Sequence, residues 1–465
     1  MNQQTSRRKF LGQIGCTALT ALPFYSTWLS LSKMSAAATA SAQPPEDYRA
    51  LVCILLSGGN DSFNMLVPRG STEYQTYART RSNLALPQNS LLALPTQLQT
   101  GLELGVHPAM TEMRQLYQEG QLAFIANIGT LVEPTTREQF DQETVRLPEG
   151  LYSHADQMMQ WQTSVPQDRS AIGWGGKMAD LLGHLNSNQQ ISMNISLSGN
   201  NVFQAGRQTV EYSITPEGGA RMLYGYHQDG LVARIRSRAV DSMLEQEYES
   251  IFSRTYMNTV RTGMRANEQF SLALQQTPTF ADTFSANEFS ASLRMIARTI
   301  AARESLGMRR QVFFINFGDW DHHDEVINIH NEMMGVVSRG LLEFQTAINQ
   351  LGVADQVTTF NISDFGRTLT SNGNGSDHGW GGNVFVMGGA VHGGEVYGRY
   401  PDLGLNTLLD VGGGVYIPTT STDEYFAELA LWMGVSSNDL PLVLPNIGNF
   451  YSPSSEHAPI GFLHL

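Results

Sequence analysis

Two apolar runs in the chain each end in acids and histidines. Residues 311–317 lead into Gly318-Asp319-Trp320-Asp321-His322-His323-Asp324, and residues 357–362 lead into Ser363-Asp364-Phe365-Gly366-Arg367-Thr368. A polar segment, 371–376, then delivers Asp377-His378-Gly379. A third run, 48–56, ends in Ser57-Gly58-Gly59-Asn60-Asp61-Ser62. Carboxylate with imidazole suits zinc, manganese or iron better than calcium, which prefers an all-oxygen shell. The candidate ligands of a divalent metal are therefore Asp61, Asp321, His323, Asp364 and His378. Asp321 and His323 are alternate residues and can project the same way, which leaves Asp319 and His322 for support behind the ligands. Arg367 offers a planar fork for an anionic oxygen. Ser62 and Ser153 are the candidate hydroxyl nucleophiles, with an activated water as the alternative. Each feature also has an ordinary reading: Ser57–Asp61 as a strand-to-helix turn with an Asp cap, Ser153 as a helix cap, and the whole cluster as an acidic surface without an ion.

Strands must carry these groups to one edge. The run 48–56 is almost continuously apolar, as in a fully buried strand of an α/β sheet, and such sheets place ligands at the carboxyl ends of their strands. Further strands are expected at 122–129, 190–198, 311–317, 357–362 and 383–387, and a hairpin at 392–398. Helices are expected at 73–80, from 107 to 117, after Ser153, from 172 to 182, at 327–351 and at 423–433. Ser153 and His154 head a helix start whose free N–H groups suit an oxyanion. Residues 230–305 read as a helical insertion or layer. With no internal repeat and no long low-complexity linker, residues 43–465 read as one α/β domain.

The first 42 residues read as an address. Arg7-Arg8-Lys9 precedes a moderately apolar run, and Ala40-Ser41-Ala42 supplies a small-residue cleavage site. This fits a twin-arginine export signal, which implies the twin-arginine translocase as a partner and a periplasmic or secreted mature chain. Thr, Ser and Pro interrupt the run, so it falls short of the roughly 18 clean apolar residues of a membrane span, and none is expected in the mature chain. Cys16 lies in the signal, so Cys53 is expected to be a small buried hydrophobe without a disulfide partner. The formal net charge is −14. That acidity excludes nucleic acid as a partner, since its phosphates are bound by Lys and Arg.

LSGGNDSFNMLVP, HPAM, YSH, IGW, GDWDHHDE, SDFGRT, DHGWGGNVFVMGG, IPTTSTDEY and LWMGV follow one another along the chain. In this order they resemble the bacterial exported family of domain of unknown function 1501. That family resembles, more remotely, the alkaline phosphatase and sulfatase superfamily. The resemblance implies an alkaline-phosphatase-like three-layer α/β/α sandwich around a central, mostly parallel mixed sheet. It also implies one or two divalent ions, zinc or manganese, on Asp61, Asp321, His323, Asp364 and His378. Phe365 stands where the superfamily often has a second His, and the Cys-x-Pro-x-Arg motif of formylglycine sulfatases is absent. The function expected is an exported metal-dependent hydrolase of phosphate or sulfate esters, acting on a small-molecule or glycan ester. The alternative is a non-enzymatic binding or surface-assembly protein on the same fold.

Overall fold

The strand Arg49–Leu56 lies at the middle of the architecture and is buried along almost its whole length. In chain order the strands are β1 (Arg49–Leu56), β2 (Leu66–Pro68), β3 (Leu92–Leu94), β4 (Leu104–Val106), β5 (Leu122–Gly129), β6 (Asn194–Ser196) and β7 (Tyr212–Ser213). They continue with β8 (Arg310–Phe317), β9 (Val357–Ser363), β10 (Arg367–Ser371), β11 (Ser376–His378), β12 (Gly382–Met387), β13 (Val396–Gly398) and β14 (Thr420–Ser421). The main sheet has the order β13-β5-β12-β9-β1-β8-β6-β7, with β14 also paired to β5. Among the described strands of this sheet, β12 runs antiparallel to both neighbours and the other pairings are parallel. The computed structural model describes residues 48–99, 101–220, 226 and 229–465. The expected export signal at 1–42, with Cys16 and its cleavage site, lies outside them.

Alternation along β1 builds the layers. Ala50, Val52, Ile54 and Leu56 face one core with Met113, Leu293, Leu341 and Phe344 from the helices Thr111–Gln118, Glu288–Ala301 and Val326–Gln350. Leu51, Cys53 and Leu55 face the other, with Trp161, Trp174, Phe426 and Leu429 from the helices His154–Thr163, Trp174–Leu182 and Thr422–Met433. Burying each large side chain contributes about 1.5–3 kcal/mol, so both faces are held by helices that the sheet alone could not dispense with. The mostly parallel mixed sheet between two helical layers is the α/β/α architecture expected from the sequence. No helix among the described residues is long and apolar enough to cross a membrane.

Two local expectations give way. The strand expected at 190–198 shrinks to Asn194–Ser196. Ser192 Oγ accepts from Asn194 N–H and Ser196 Oγ from Ser198 N–H, both at 3.2 Å, and such local side-chain bonds compete with the ladder. The hairpin expected at 392–398 does not form. The chain's C-terminus takes its place, with Val391 bridged to Leu463 and His392 N–H bonded to Phe462 O, while Val396–Gly398 joins β5 in parallel. The polar segment 371–376 is the turn of a hairpin, β10–β11, that sets Arg367 opposite His378. Within 230–305, the helix Glu288–Ala301 packs into the core layer, in keeping with the layer half of that expectation.

The register decides the site. Leu56 of β1 stands beside Phe317 of β8 and Ser363 of β9. Three parallel strands thus end level, and the segments after them emerge side by side at one edge.

Candidate metal centre

Gly58 and Gly59 let those segments close on one another. Both have positive φ, 116° and 87°, and a Cβ on Gly58 would stand 2.5 Å from Asp321 N. A Cβ on Gly59 would meet the Phe365 ring at 2.5 Å. Gly58→Ala is expected to cost about 1–3 kcal/mol in urea denaturation through overpacking, added to the strain of positive φ. It should also weaken metal retention, because the clash falls on the Asp321 backbone.

Asp321 is the hub. Its Oδ1 accepts from Arg367 Nη1 at 2.6 Å and lies 3.0 Å from His323 Nε2 and 3.4 Å from His378 Nε2. Its Oδ2 lies 3.3 Å from His154 Nε2. His323 Nε2 and His378 Nε2 are 3.0 Å apart. Each imidazole is anchored at its other nitrogen. His378 Nδ1 donates to Tyr152 O at 2.7 Å. His323 Nδ1 lies 3.0 Å from Asp377 Oδ1, and His154 Nδ1 lies 2.7 Å from Asp364 Oδ2. A neutral imidazole that donates through Nδ1 has a bare lone pair on Nε2. Three imidazole Nε2 atoms therefore converge on one carboxylate. The spacings are near the roughly 3.3 Å edge of a tetrahedron with metal–nitrogen bonds of about 2.0–2.1 Å.

A divalent ion fits this arrangement. His154 Nε2 is a buried nitrogen without a hydrogen-bond partner. Donor atoms of His154, Asp321 and His378 all lie within 4.8 Å of one another, and His323 touches two of the three. Oxygen acceptors behind the histidines are what metal sites use to fix tautomer and ring orientation. Charge is set to match. Partial burial pushes the Asp321 carboxyl up, but Arg367 and the histidines outweigh it and hold it below the usual range. Burial lowers His378, which keeps it neutral and available as a ligand. The hydrogen bond from Asn372, with the contact to His323, holds Asp377 low and ionised. Burial raises Asp364, opposed by His154 and Gly58 N–H. Phe365 walls the cluster, with ring centroids 4.8 Å from His154 and 4.6 Å from His378.

The residues expected from the sequence divide. Asp321, His323 and His378 come together. Asp364 stands behind His154, accepting from Gly58 N–H as well. Asp61 lies elsewhere: it is fully buried and paired with the equally buried Arg81. Arg367 is no free clamp for an anion, because its buried guanidinium is engaged by Asp321, Gly58 O and Ser376 O. Ser62 is buried and its Oγ accepts from Asn383 N–H at 2.8 Å. Ser153 Oγ caps the helix His154–Thr163 through Asp156 N–H. His154 was absent from the expected ligand set. Its signal was the Tyr-Ser-His sequence at a helix start, but the Ser cap explained that sequence without the His.

A buried polar layer lies beneath. His330 Nε2 is 3.0 Å from Asn60 Oδ1, and His107 packs edge-on against His330 at 5.4 Å. Burial lowers His330 well below its ordinary value and His107 to about 4. A depressed folded pKa means that the unfolded chain binds more protons on acidification. The stability is therefore complete above about pH 6.5 and is lost as pH falls toward the folded value. The advantage of the natural chain over His107→Gln, measured by urea denaturation, should shrink by on the order of 2–3 kcal/mol between pH 7 and pH 4.5.

The family described as "Protein of unknown function (DUF1501)" matches residues 48–412. No protein of curated function matches the chain. Among solved structures, Ps i-CgsB is 11% identical with a TM-score of 0.35, over 87% of this chain and 78% of that one. The PsFucS1 sulfatase from Pseudoalteromonas sp. is 11% identical with a TM-score of 0.32, over 88% of this chain and 72% of that one. At these values neither similarity speaks for an activity here.

Proposed function

The chain belongs to the DUF1501 family, and from that premise we propose that it is an exported metal-dependent hydrolase of phosphate or sulfate esters. The observation that carries this reading is the convergence of three Nδ1-anchored imidazoles on Asp321. His154, Asp321, His323 and His378 would hold one zinc or manganese ion. Bound there, the ion supplies Lewis acidity to an ester oxygen and lowers the pKa of a water.

The protein's own groups do the rest. Asp364, Asp377 and Tyr152 O fix the three ring orientations. Arg367 holds Asp321 ionised and aimed. Phe365 shields one side of the imidazoles from water. With Ser62 and Ser153 both engaged as hydrogen-bond acceptors, a water is the nucleophile this reading requires. The mature chain would act in the periplasm or outside the cell after twin-arginine export, as one domain spanning 43–465.

The engaged serines favour a second reading, a metal-bearing binding protein without turnover. Elemental analysis of the purified mature protein, followed by aryl phosphate, phosphodiester and aryl sulfate substrates, separates the two. The hydrolase reading expects one zinc or manganese per chain and turnover of at least one ester. Metal without turnover selects the binding protein, and protein free of metal after growth in metal-replete medium defeats both.

A further inference from the structure

We infer that the exposed face of the helix Leu231–Glu245 pairs with the same helix of a second copy of this chain, antiparallel about a two-fold axis near Ala239. The inference lies outside the hydrolase reading and does not depend on it. Among the described residues, seven of the fifteen exposed large apolar side chains fall within 231–256. Single exposed apolar side chains need no explanation, but a concentration of them marks an interaction surface.

Spacing gathers four exposed residues of this helix. Val232, Ile235, Ala239 and Met243 are all exposed. Positions three and four apart share a helix face, so these four form one apolar stripe. Ala233 and Ser237, on the opposite face, are buried, which leaves the stripe turned outward. The next helix, Ile251–Gln275, opens with Phe252, 84% exposed, and with exposed Tyr256.

Charge selects the partner. Beside the stripe the helix carries Arg234 and Arg238 in its first half, then Asp241 and Glu245 in its second. Their spacing of four, three and four residues sets them in one column. Arg234, Arg238 and Glu245 are exposed, and half-buried Asp241 accepts from Tyr226 OH at 2.7 Å. Two cations followed by two anions complement their own reverse. Antiparallel pairing therefore sets Arg234 against Glu245 of the partner subunit and Arg238 against Asp241 of the partner subunit. The small Ala239 side chain falls at the axis, where it lets the two backbones approach. One patch that complements itself is what a two-fold dimer requires, and opposed charges fix its register. An anionic membrane surface fits less well. It would attract the arginines but repel Asp241, Glu245, Glu247 and Glu249, which follow with no Lys or Arg among them.

Sedimentation velocity of the mature chain reads the pairing. At micromolar concentrations the chain should run as a dimer that dissociates on dilution. Ile235→Glu puts a charge into the stripe and should weaken the pair by ~10-fold or more. Its circular-dichroism spectrum should not change, since the natural side chain is exposed. Arg234→Glu and Glu245→Arg should each weaken the dimer, and the two together should restore it, a recovery that apolar association alone would not show. Asp321→Ala should pair like the natural chain even where metal and turnover are lost, so failure of the pairing and failure of the metal reading give different results. A chain that stays monomeric at every concentration overturns the inference. So does a dimer indifferent to Ile235→Glu or to the single charge reversals, or one that the double reversal fails to restore. A monomer that instead floats with vesicles of anionic phospholipid assigns the face to a membrane and overturns it as well.

Discussion

Replacing Asp321 by Ala is expected to strip the divalent ion from the purified protein and to reduce ester hydrolysis on the order of 10³-fold. The size follows from several kcal/mol of charge stabilisation at the metal, with each 1.36 kcal/mol worth a factor of ten. Asp321 touches all three imidazoles and Arg367, so its loss removes a proposed ligand and the carboxylate on which the others converge. His378→Ala and His154→Ala should behave alike. Asp364→Asn removes only the charge behind His154, and an outer partner of this kind typically costs 10–100-fold in metal affinity or activity. Metal analysis and kcat/KM on one ester read both effects. Because Asp321→Ala leaves a buried guanidinium without its carboxylate, Asp321→Asn is the companion variant that keeps a hydrogen-bond acceptor there. If Asp321→Ala and His378→Ala together retain the full metal content, the site is misplaced.

Asp61→Ala is expected to cost about 3–5 kcal/mol of folding stability, because removing one partner strands a buried charge. The Asp61 and Arg81 side chains are 1% and 0% exposed, and Arg81 also donates to Thr368 O at 3.1 Å. The pair pins the helix Ser71–Arg81 to the strand β10, whose Arg367 faces His378 across the hairpin. Urea denaturation reads the loss. Metal content decides between the two roles open to Asp61. A ligand would take the ion with it and leave a folded protein, whereas a structural anion would lower stability and leave the folded fraction loaded. The second outcome is expected here.

The layered sheet was legible because it rests on periodicity. Continuous apolar runs at 48–56, 122–129 and 311–317 are what strands covered on both faces require, and the structure pairs them as such. Elements with weaker demands were less legible. The segment 190–198 alternates like a strand, but its serines bond locally. The segment 392–398 carries turn glycines, but the chain's C-terminus, remote in sequence, occupies its partner position.

The site divides along the same line. Asp321, His323 and His378 were visible because they follow strands and because the pairing of carboxylate with imidazole carries its own chemistry. Asp61 and Asp364 follow strands too, yet one meets Arg81 and the other sits behind an imidazole. Strand-end position tells which edge a residue reaches, not how deep it lies or which partner it finds there. His154 shows the converse, since it follows no strand and reaches the site only because the helix His154–Thr163 begins there.

By itself, then, the sequence determined the family, the layered sheet and the edge at which acids and histidines gather. These depend on patterns and residue types local to each segment. Only the tertiary structure decided which groups share the site, and how. The contacts of Asp321 with His154, His323 and His378, and of Asp61 with Arg81, are set by the level ends of β1, β8 and β9 and by the hairpin and helix that close over them. A few ångströms between segments far apart in the chain separate a member of the cluster from an anchor elsewhere, and no spacing along the sequence encodes that distance.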